Sequence, residues 1–561
     1  MRTAVLADSA AQYLTPLLKT LFFKHDIAAE IYEGEYDAIR QEAFAPGSRL
    51  YAFKPEIVFI LNATQGLRAA YSRHEGGLEA FAASVVDDAV RVWEAVKRHG
   101  GATVVQSTFA PPFERPFGNF GPKAAASFPA AVREINRRLA DAARADAGVL
   151  INDVEFVSSS LGLRRWYDEK LWILCKAFCA FDCLPEVAQN MVDVARAAKG
   201  SAVKCVVVDL DNTLWGGVIG DDGVEGIRLG HLGEGEAFVA FQRFLLGLKR
   251  RGIALAVCSR NEPKTARLPF REHPDMVLKE SDLAVFIANW SSKADNIGAI
   301  RETLGIGLDS IVFIDDDPFE RNLVRGRLPE VIVPEMPEDA ADFVKHLSEL
   351  NLFETAAYSE EDRRRAQMYR EQSERHAARA AFASTEEYLR SLNMRLTLAR
   401  FDAFHLPRIV QLEGRSNQFN LTTKRYGEPD CRRFMEDEAG TFPLYASLVD
   451  DLGDSGLIAA AVLRYHGETL EVDSWLMSCR VLLRGVEEAM MNWVAAFAAR
   501  KGFKTLRGAY VPTAKNAMVH DFYARFGFRK TADGPGGAAV WELETADYVP
   551  RPVHFAEVVA P

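Results

Sequence analysis

Short apolar runs alternate with longer amphipathic stretches along the first 195 residues or so. The runs are RTAVLA, PEIVFILN, ATVVQS and GVLINDVEF. The segments between them read as amphipathic helices, so the pattern predicts parallel strands joined by crossover helices. The first part of the chain is therefore read as a doubly wound α/β layer. A second alternation begins at Lys204, with KCVVVDLD, IALAVCSRN and SIVFIDDD as strands and GEAFVAFQRFLLGLKRRG as the helix between the first two. Lys249, Arg250 and Arg251 suit the negative end of that helix, and Gly252 stands where a left-handed cap is usual.

The pattern then changes. From Ser359 to about Ala381 the chain is charged, free of Gly and Pro, and places Glu360 four residues before Arg364, which predicts an exposed helical linker. Beyond it, TFPLYASLVD, SGLIAAAVLRY and ETLEVDSWLMS read as paired strands, followed by a helix with Leu482, Val486, Met490, Trp493 and Phe497 on one face. GPGGAAV reads as a loop. The expected fold class is multidomain α/β. The expected units are an α/β domain at 1–197, a parallel-sheet domain at 198–350, the linker at 351–390, an α+β domain at 391–545 and a tail at 546–561.

Composition narrows the classes of function. A chain of 561 residues exceeds one hydrophobic core, and about 150 residues per domain gives three or four units. With 48% hydrophobic and 26% charged residues most of it should fold. A formal charge of −11 argues against nucleic acid as a partner. The opening MRTAVLADSAAQYL lacks a secretory signal, and no run of about 18 apolar residues predicts membrane insertion, so a cytoplasmic protein is expected. Cys175, Cys179 and Cys183 recur every four residues, a spacing that would stack three thiols on one helix face. With no His close by, buried, reduced structural thiols are expected there rather than a zinc site.

The strongest chemical signal is VVVDLDNTLW, residues 206–215. An apolar strand runs directly into Asp209 and Asp211, with Thr213 two residues further on. A strand ending in a turn holds both carboxylates at the carboxyl edge of a parallel sheet, where α/β ligand sites form. One carboxylate can attack phosphorus while the other protonates the leaving oxygen and later activates water. VCSRN places Ser259 and Asn261 after another strand, and WSSKADNI places Lys293 at a helix start; both are positions for binding phosphate. FIDDDPFER adds Asp315, Asp316 and Asp317. Asp209, Asp211, Asp315 and Asp316 are the candidate ligands for Mg²⁺, and Thr213, Ser259, Asn261 and Lys293 the candidate substrate contacts.

This ordered set resembles the haloacid dehalogenase superfamily, with DLDNT as its first motif, Ser259 its second, Lys293 its third and the acidic group at 315 its fourth. Fifty residues separate Asp209 from Ser259, too few for a large cap, so an open site taking a large or tethered substrate is expected. Over nearly the whole chain, DLDNTLWGGVIGDDG, RSNQFNLTTKRY at 415–426 and SCRV at 478–481 resemble the FkbH-like proteins. That resemblance implies a phosphorylated small-molecule substrate, 1,3-bisphosphoglycerate, and transfer of its glyceryl group to the thiol of an acyl carrier protein. For an acyl group resting on the enzyme, Cys479 is the first candidate, beside Arg480 and near Arg484 at a helix start, where the helix dipole and positive charge lower a thiol pKa. Cys258 is the second.

PTAKNAMVHDFYARFGF, with Asn516, Tyr523 and Gly527, resembles the closing helix and turn of the GNAT acetyltransferases, although CRVLLRG has Leu483 where their acyl-CoA loop has a glycine. The N-terminal unit resembles an SGNH hydrolase through Asp8, Ser9, Asn62 and Asp168. No His follows Asp168 before His231, which implies a docking or degenerate role there. Two alternatives stay open: a small-molecule or sugar-phosphate phosphatase without acyl transfer, and a non-catalytic assembly scaffold.

Overall fold

A computed structural model describes every residue except 125, 359, 380–381, 383, 417, 479–480, 483 and 514–515, and every side chain except those and 360, 361, 363, 376, 377, 379 and 415. The chain forms two compact units, residues 1–199 with 354–356, and residues 200–353 with 357–561.

The first unit is built on five parallel strands, β1 (Arg2–Ala7), β2 (Glu30–Glu33), β3 (Ile57–Leu61), β4 (Thr103–Ser107) and β5 (Val149–Asn152), in the order β2-β1-β3-β4-β5. Their apolar runs are continuous because both faces are covered. Val5, Phe59 and Leu61 join one core, while Ala4, Leu6, Val58 and Ile60 join the other. The cysteine triplet does not lie on one helix. Cys175 ends the helix Glu169–Cys175, Lys176 turns left-handed at φ 54°, and the buried Cys179 and Cys183 lie beyond that break.

The second unit contains two sheets. Strands β6 (Cys205–Val208), β7 (Ala254–Ser259), β8 (Val285–Ala288) and β9 (Ile311–Ile314) are parallel in the order β8-β7-β6-β9, so the winding reverses between β6 and β9. The remaining strands are β10 (Arg395–Arg400), β11 (Phe419–Asn420), β12 (Thr441–Asp450), β13 (Gly453–His466), β14 (Thr469–Met477), β15 (Thr505–Tyr510), β16 (Arg529–Asp533), β17 (Ala539–Glu544) and β18 (Glu557–Val559). They form one mixed sheet, β16-β17-β15-β14-β13-β12-β10-β18, with β11 beside β14. The helix Val486–Lys501 connects the parallel pair β14 and β15, and its Val486, Met490, Trp493 and Phe497 are buried as the apolar spacing requires. The last residues belong to this sheet, since β18 pairs with β10.

The charged segment at 359–381 is helical over Glu360–Arg379, but it is not exposed along its length. Tyr369 enters the core around β6, β7 and β9, and Arg375 is paired in the interior with Asp450 at 2.7 Å. The helix passes so close to Gly252 that a Cβ there would overlap the Asp362 carbonyl oxygen; Gly252 also has φ 89°. Any side chain at 252 would therefore meet both a backbone clash and a strained conformation.

One buried acid in the mixed-sheet part yields a pH prediction. Glu413, on the helix Leu406–Arg415, is 1% exposed, and its Oε1 has no hydrogen-bond partner. Burial pushes its pKa up to about 8. A carboxyl whose folded-state pKa is raised contributes stability at low pH and loses it as pH rises through the folded value. Unfolding free energy should thus fall between about pH 4.5 and 8, and Glu413→Gln should flatten that slope in urea titrations at several pH values. An unchanged slope would mean that the acid is not neutral in the native protein.

Candidate active site

Four chain segments meet at the carboxyl edge of the β8-β7-β6-β9 sheet. Asp209 follows β6, and its N–H donates to the Ile314 carbonyl at the end of β9 at 3.0 Å, which ties the first acidic position to the strand that carries the others. Asp315 and Asp316 follow β9 at once, and Asp317 caps the next helix by accepting from Phe319 N at 2.8 Å. Lys293 is the first residue of the helix Lys293–Leu304. The point of convergence is the reversal between β6 and β9, where a parallel sheet opens a crevice.

Carboxylate oxygens of Asp209, Asp315 and Asp316 lie within 4.8 Å of one another; among the described residues they are the one His/Cys/Asp/Glu group so placed. The Lys293 ammonium stands 3.0 Å from Asp209 Oδ2 and 2.5 Å from Asp315 Oδ2. Burial disfavours that ammonium, but the two carboxylates outweigh it and hold the lysine above its ordinary pKa. Burial, and then the charge of Asp209, push Asp315 up to about 7 and Asp316 up to about 6. Three carboxylates and one ammonium leave two formal negative charges, the amount one divalent cation cancels. Asp209 Oδ1 is buried without a hydrogen-bond partner. Crowded hard oxygens, an uncompensated charge and an orphaned buried oxygen together fit Mg²⁺.

Asp211 stands apart from this cluster. The chain turns left-handed at Asn212, φ 50°, a conformation that Asn tolerates. The Asp211 carboxylate is taken up by other donors: Oδ1 accepts from Trp215 Nε1 and Ile219 N, both at 3.0 Å, and Oδ2 accepts from Asn261 Nδ2 at 2.8 Å. Its carboxylate therefore lies outside the cluster formed by the other three expected ligands, Asp209, Asp315 and Asp316. Asn261 also donates to Ser259 Oγ at 3.2 Å, so it joins the ends of β6 and β7. Thr213 Oγ1 and Asp316 Oδ1 are 3.3 Å apart.

Sequence reasoning missed Arg321, which donates to the carbonyls of Asp315 at 2.8 Å and Asp316 at 2.7 Å and so pins the acidic loop from below. Its position one turn into the helix after FIDDDPFE was the available signal. Cys258 is fully buried, and burial pushes its thiol up to about 12, surroundings that disfavour the thiolate an acyl carrier needs. Cys479 and Arg480 lie outside the described residues; Arg484 pairs with Asp450 at 3.1 Å. In the first unit Ser9 is buried, Asp8 accepts from Ala63 N at 2.8 Å and burial lifts it to about 6, while Asp168 caps a helix by accepting from Leu171 N.

A parallel sheet whose reversal point gathers Asp209, a lysine and two further carboxylates defines a phosphatase-type domain of the haloacid dehalogenase class. Residues 2–196 match the family model of the FkbH N-terminal domain. The crystal structure of the N-terminal part of protein BF1531 from Bacteroides fragilis, described as containing a phosphatase domain complexed with Mg, is 37% identical, with a TM-score of 0.60 over 64% of this chain and 95% of that one. The chain belongs to the FkbH-like proteins. Two acetyltransferase structures are also similar to part of it. The ribosomal-protein-S18-alanine N-acetyltransferase of Escherichia coli is 16% identical over 27% of this chain and 94% of that one, TM-score 0.21. The GNAT domain of S. lividans PAT is 19% identical over 26% and 89%, TM-score 0.22. No curated protein matches the chain. Among the described residues no helix is long and apolar enough to cross a membrane.

Proposed function

We propose that the protein dephosphorylates a small phosphorylated hydroxy acid, 1,3-bisphosphoglycerate, and passes its glyceryl group to the thiol of an acyl carrier protein. The observation that carries the phosphoryl half is the meeting of Asp209, Asp315, Asp316 and Lys293, with Asp209 Oδ1 left buried and unpartnered. Membership of the FkbH-like proteins supports the acyl half.

In this reading Asp209 is the nucleophile. Its carboxylate oxygen bonds to phosphorus as the bond to the leaving oxygen breaks, and Asp211, held by Trp215, Ile219 and Asn261, gives that oxygen its proton. Asp211 then takes a proton from water, which cleaves the aspartyl phosphate and restores Asp209. Ser259 and Asn261 orient phosphate oxygens, and Lys293 offsets their charge. Asp209, Asp315 and Asp316 would hold Mg²⁺, which supplies screening between the attacking carboxylate and a phosphate dianion.

The test is intact-mass spectrometry of a phosphopantetheinylated carrier protein incubated with the enzyme, Mg²⁺ and 1,3-bisphosphoglycerate. A glyceryl adduct on the carrier together with free phosphate is expected. Phosphate release with an unmodified carrier would select the plain phosphatase, and no phosphate release from a broad panel of phosphorylated metabolites would select the scaffold. Independently, Asp315→Asn should weaken Mg²⁺ binding by roughly tenfold or more, because affinity at such sites follows the count of charged ligands. Calorimetric titration with Mg²⁺ measures this, and unchanged affinity would take Asp315 out of the metal site.

A further inference from the structure

Two cations beside the phosphoryl cluster are already committed. Lys293 stands between Asp209 and Asp315, and Arg321 holds the carbonyls of Asp315 and Asp316 together with Glu335 at 3.0 Å. Arg260 is a further cation at this edge, and the chemistry given above does not use it. It follows Ser259, the last residue of β7, and precedes Asn261. Its guanidinium lies 3.2 Å from Oε1 of Glu320, which belongs to the first turn of the helix Pro318–Arg327 beyond β9. In the sheet β6 runs between β7 and β9, so this ion pair spans the carboxyl end of β6, the end that Asp209 follows.

The pair is loosely made. Glu320 is buried and its Oε2 has no partner, while the Arg260 side chain is 41% exposed and makes no hydrogen bond among the described residues. A guanidinium offers five N–H donors in a fork that matches a carboxylate or a pair of phosphate oxygens. Glu320 therefore draws Arg260 to this edge by charge and leaves its donors open to an anion. The cluster gives that capacity a use. Its three carboxylates and Lys293 carry two negative charges, which one Mg²⁺ cancels, and a phosphate dianion brings two more. A second anionic group on the same substrate then needs a further cation. Neighbouring strands stand about 4.8 Å apart, so a phosphate at the end of β6 and an anion at the far end of a three-carbon chain fall at adjoining strand ends. Arg260 is at the adjoining end.

We infer that Arg260 is a substrate contact that selects a phosphate ester whose far end carries a second anionic group. The inference rests on the phosphoryl-transfer reading of the Asp209 site. The acyl-transfer reading decides which anion it is: the acyl phosphate of 1,3-bisphosphoglycerate, or the free carboxylate of phosphoglycerate where no acyl group is moved.

Isothermal titration of the full chain in Mg²⁺ with non-hydrolysable phosphonates tests the contact without turnover. The probes are 2-hydroxy-4-phosphonobutanoate and 3,4-dihydroxybutylphosphonate, which has a hydroxymethyl group in place of the carboxylate. The carboxylate probe should bind at least about tenfold more tightly, the gain of one charge-assisted contact. Arg260→Gln should erase that margin and leave affinity for the second probe unchanged, and Arg260→Lys should keep part of it. Because Arg260→Gln strips buried Glu320 of its counter-charge, the double variant Arg260→Gln, Glu320→Gln is its companion; it too should lack the margin and still bind the second probe. Equal binding of the two probes by the wild type, or a margin that survives either variant, overturns the inference. Binding of neither probe overturns it together with the phosphoryl reading. The bisphosphonate 3-hydroxy-2-oxopentane-1,5-bisphosphonate, the counterpart of 1,3-bisphosphoglycerate, identifies the second anion: tighter binding than the carboxylate probe assigns an acyl phosphate, weaker binding a carboxylate, and either supports the contact. If the margin depends on Arg260 but no carrier is acylated, the acyl-transfer reading fails and the contact stands. If acylation proceeds with the same KM for 1,3-bisphosphoglycerate in Arg260→Gln, the contact fails and the reading stands.

Discussion

An Asp209→Asn protein is expected to release phosphate at least about a thousandfold more slowly than the wild type, since the amide can neither form the aspartyl phosphate nor carry the charge that the cation site needs. The exchange changes little else. Asp209 is 7% exposed, it is anchored through its own N–H to Ile314, and an amide of the same shape keeps that backbone contact. Lys293 would still have Asp315 at 2.5 Å. The measurement is single-turnover phosphate release at saturating Mg²⁺, together with the thermal unfolding midpoint. A variant that folds and retains more than about a tenth of the rate would move the nucleophile elsewhere.

The second large effect is expected on stability. Asp450 is the one carboxylate held by both Arg375 and Arg484, and the three side chains are 0%, 4% and 9% exposed. Asp450→Asn keeps the shape but removes the carboxylate that both buried guanidiniums share, leaving Arg375 with Glu371 at 3.8 Å. Breaking a buried pair by removing one partner costs about 3–5 kcal/mol, because the remaining charge stays desolvated. The urea midpoint should fall accordingly. The same substitution should also loosen the chain at Arg484 and Gly485, since Arg484 is tied to the helix Glu360–Arg379 through Gln372 at 2.7 Å. A midpoint within experimental error of the wild type would mean that water reaches these groups in the native protein.

The positions of the phosphoryl residues were legible because the two facts they need are both local. Four apolar residues followed at once by Asp say where a buried parallel strand ends, and CVVVD and IVFID each say it. What the sequence withheld was the direction of side chains beyond the turn. Asp209 and Asp211 are two residues apart and look equivalent on paper, yet the left-handed Asn212 and the donors Trp215, Ile219 and Asn261 give them different partners. The strand β2 escaped because EIYE is a short edge strand with charges at both ends, and it has no apolar run to show. The helix Glu360–Arg379 was misread for a related reason. Its interior-facing residues include Asp362 and Arg375, and a charge that is matched by a distant partner cannot be told from a solvated one until that partner is in place.

That helix also limits how the protein can be cut or inherited. Tyr369 fills the interior beside β7 and the helix Lys293–Leu304, and less than two turns later Arg375 satisfies the acid at the end of β12. A fragment ending near residue 350 would present the Tyr369 cavity to water, and a fragment starting near residue 390 would carry Asp450 without one of its two arginines. Proteolysis within Glu360–Arg379 should therefore inactivate and aggregate both halves instead of releasing two working enzymes, and recombination of this chain with relatives should succeed at breakpoints that leave the helix whole.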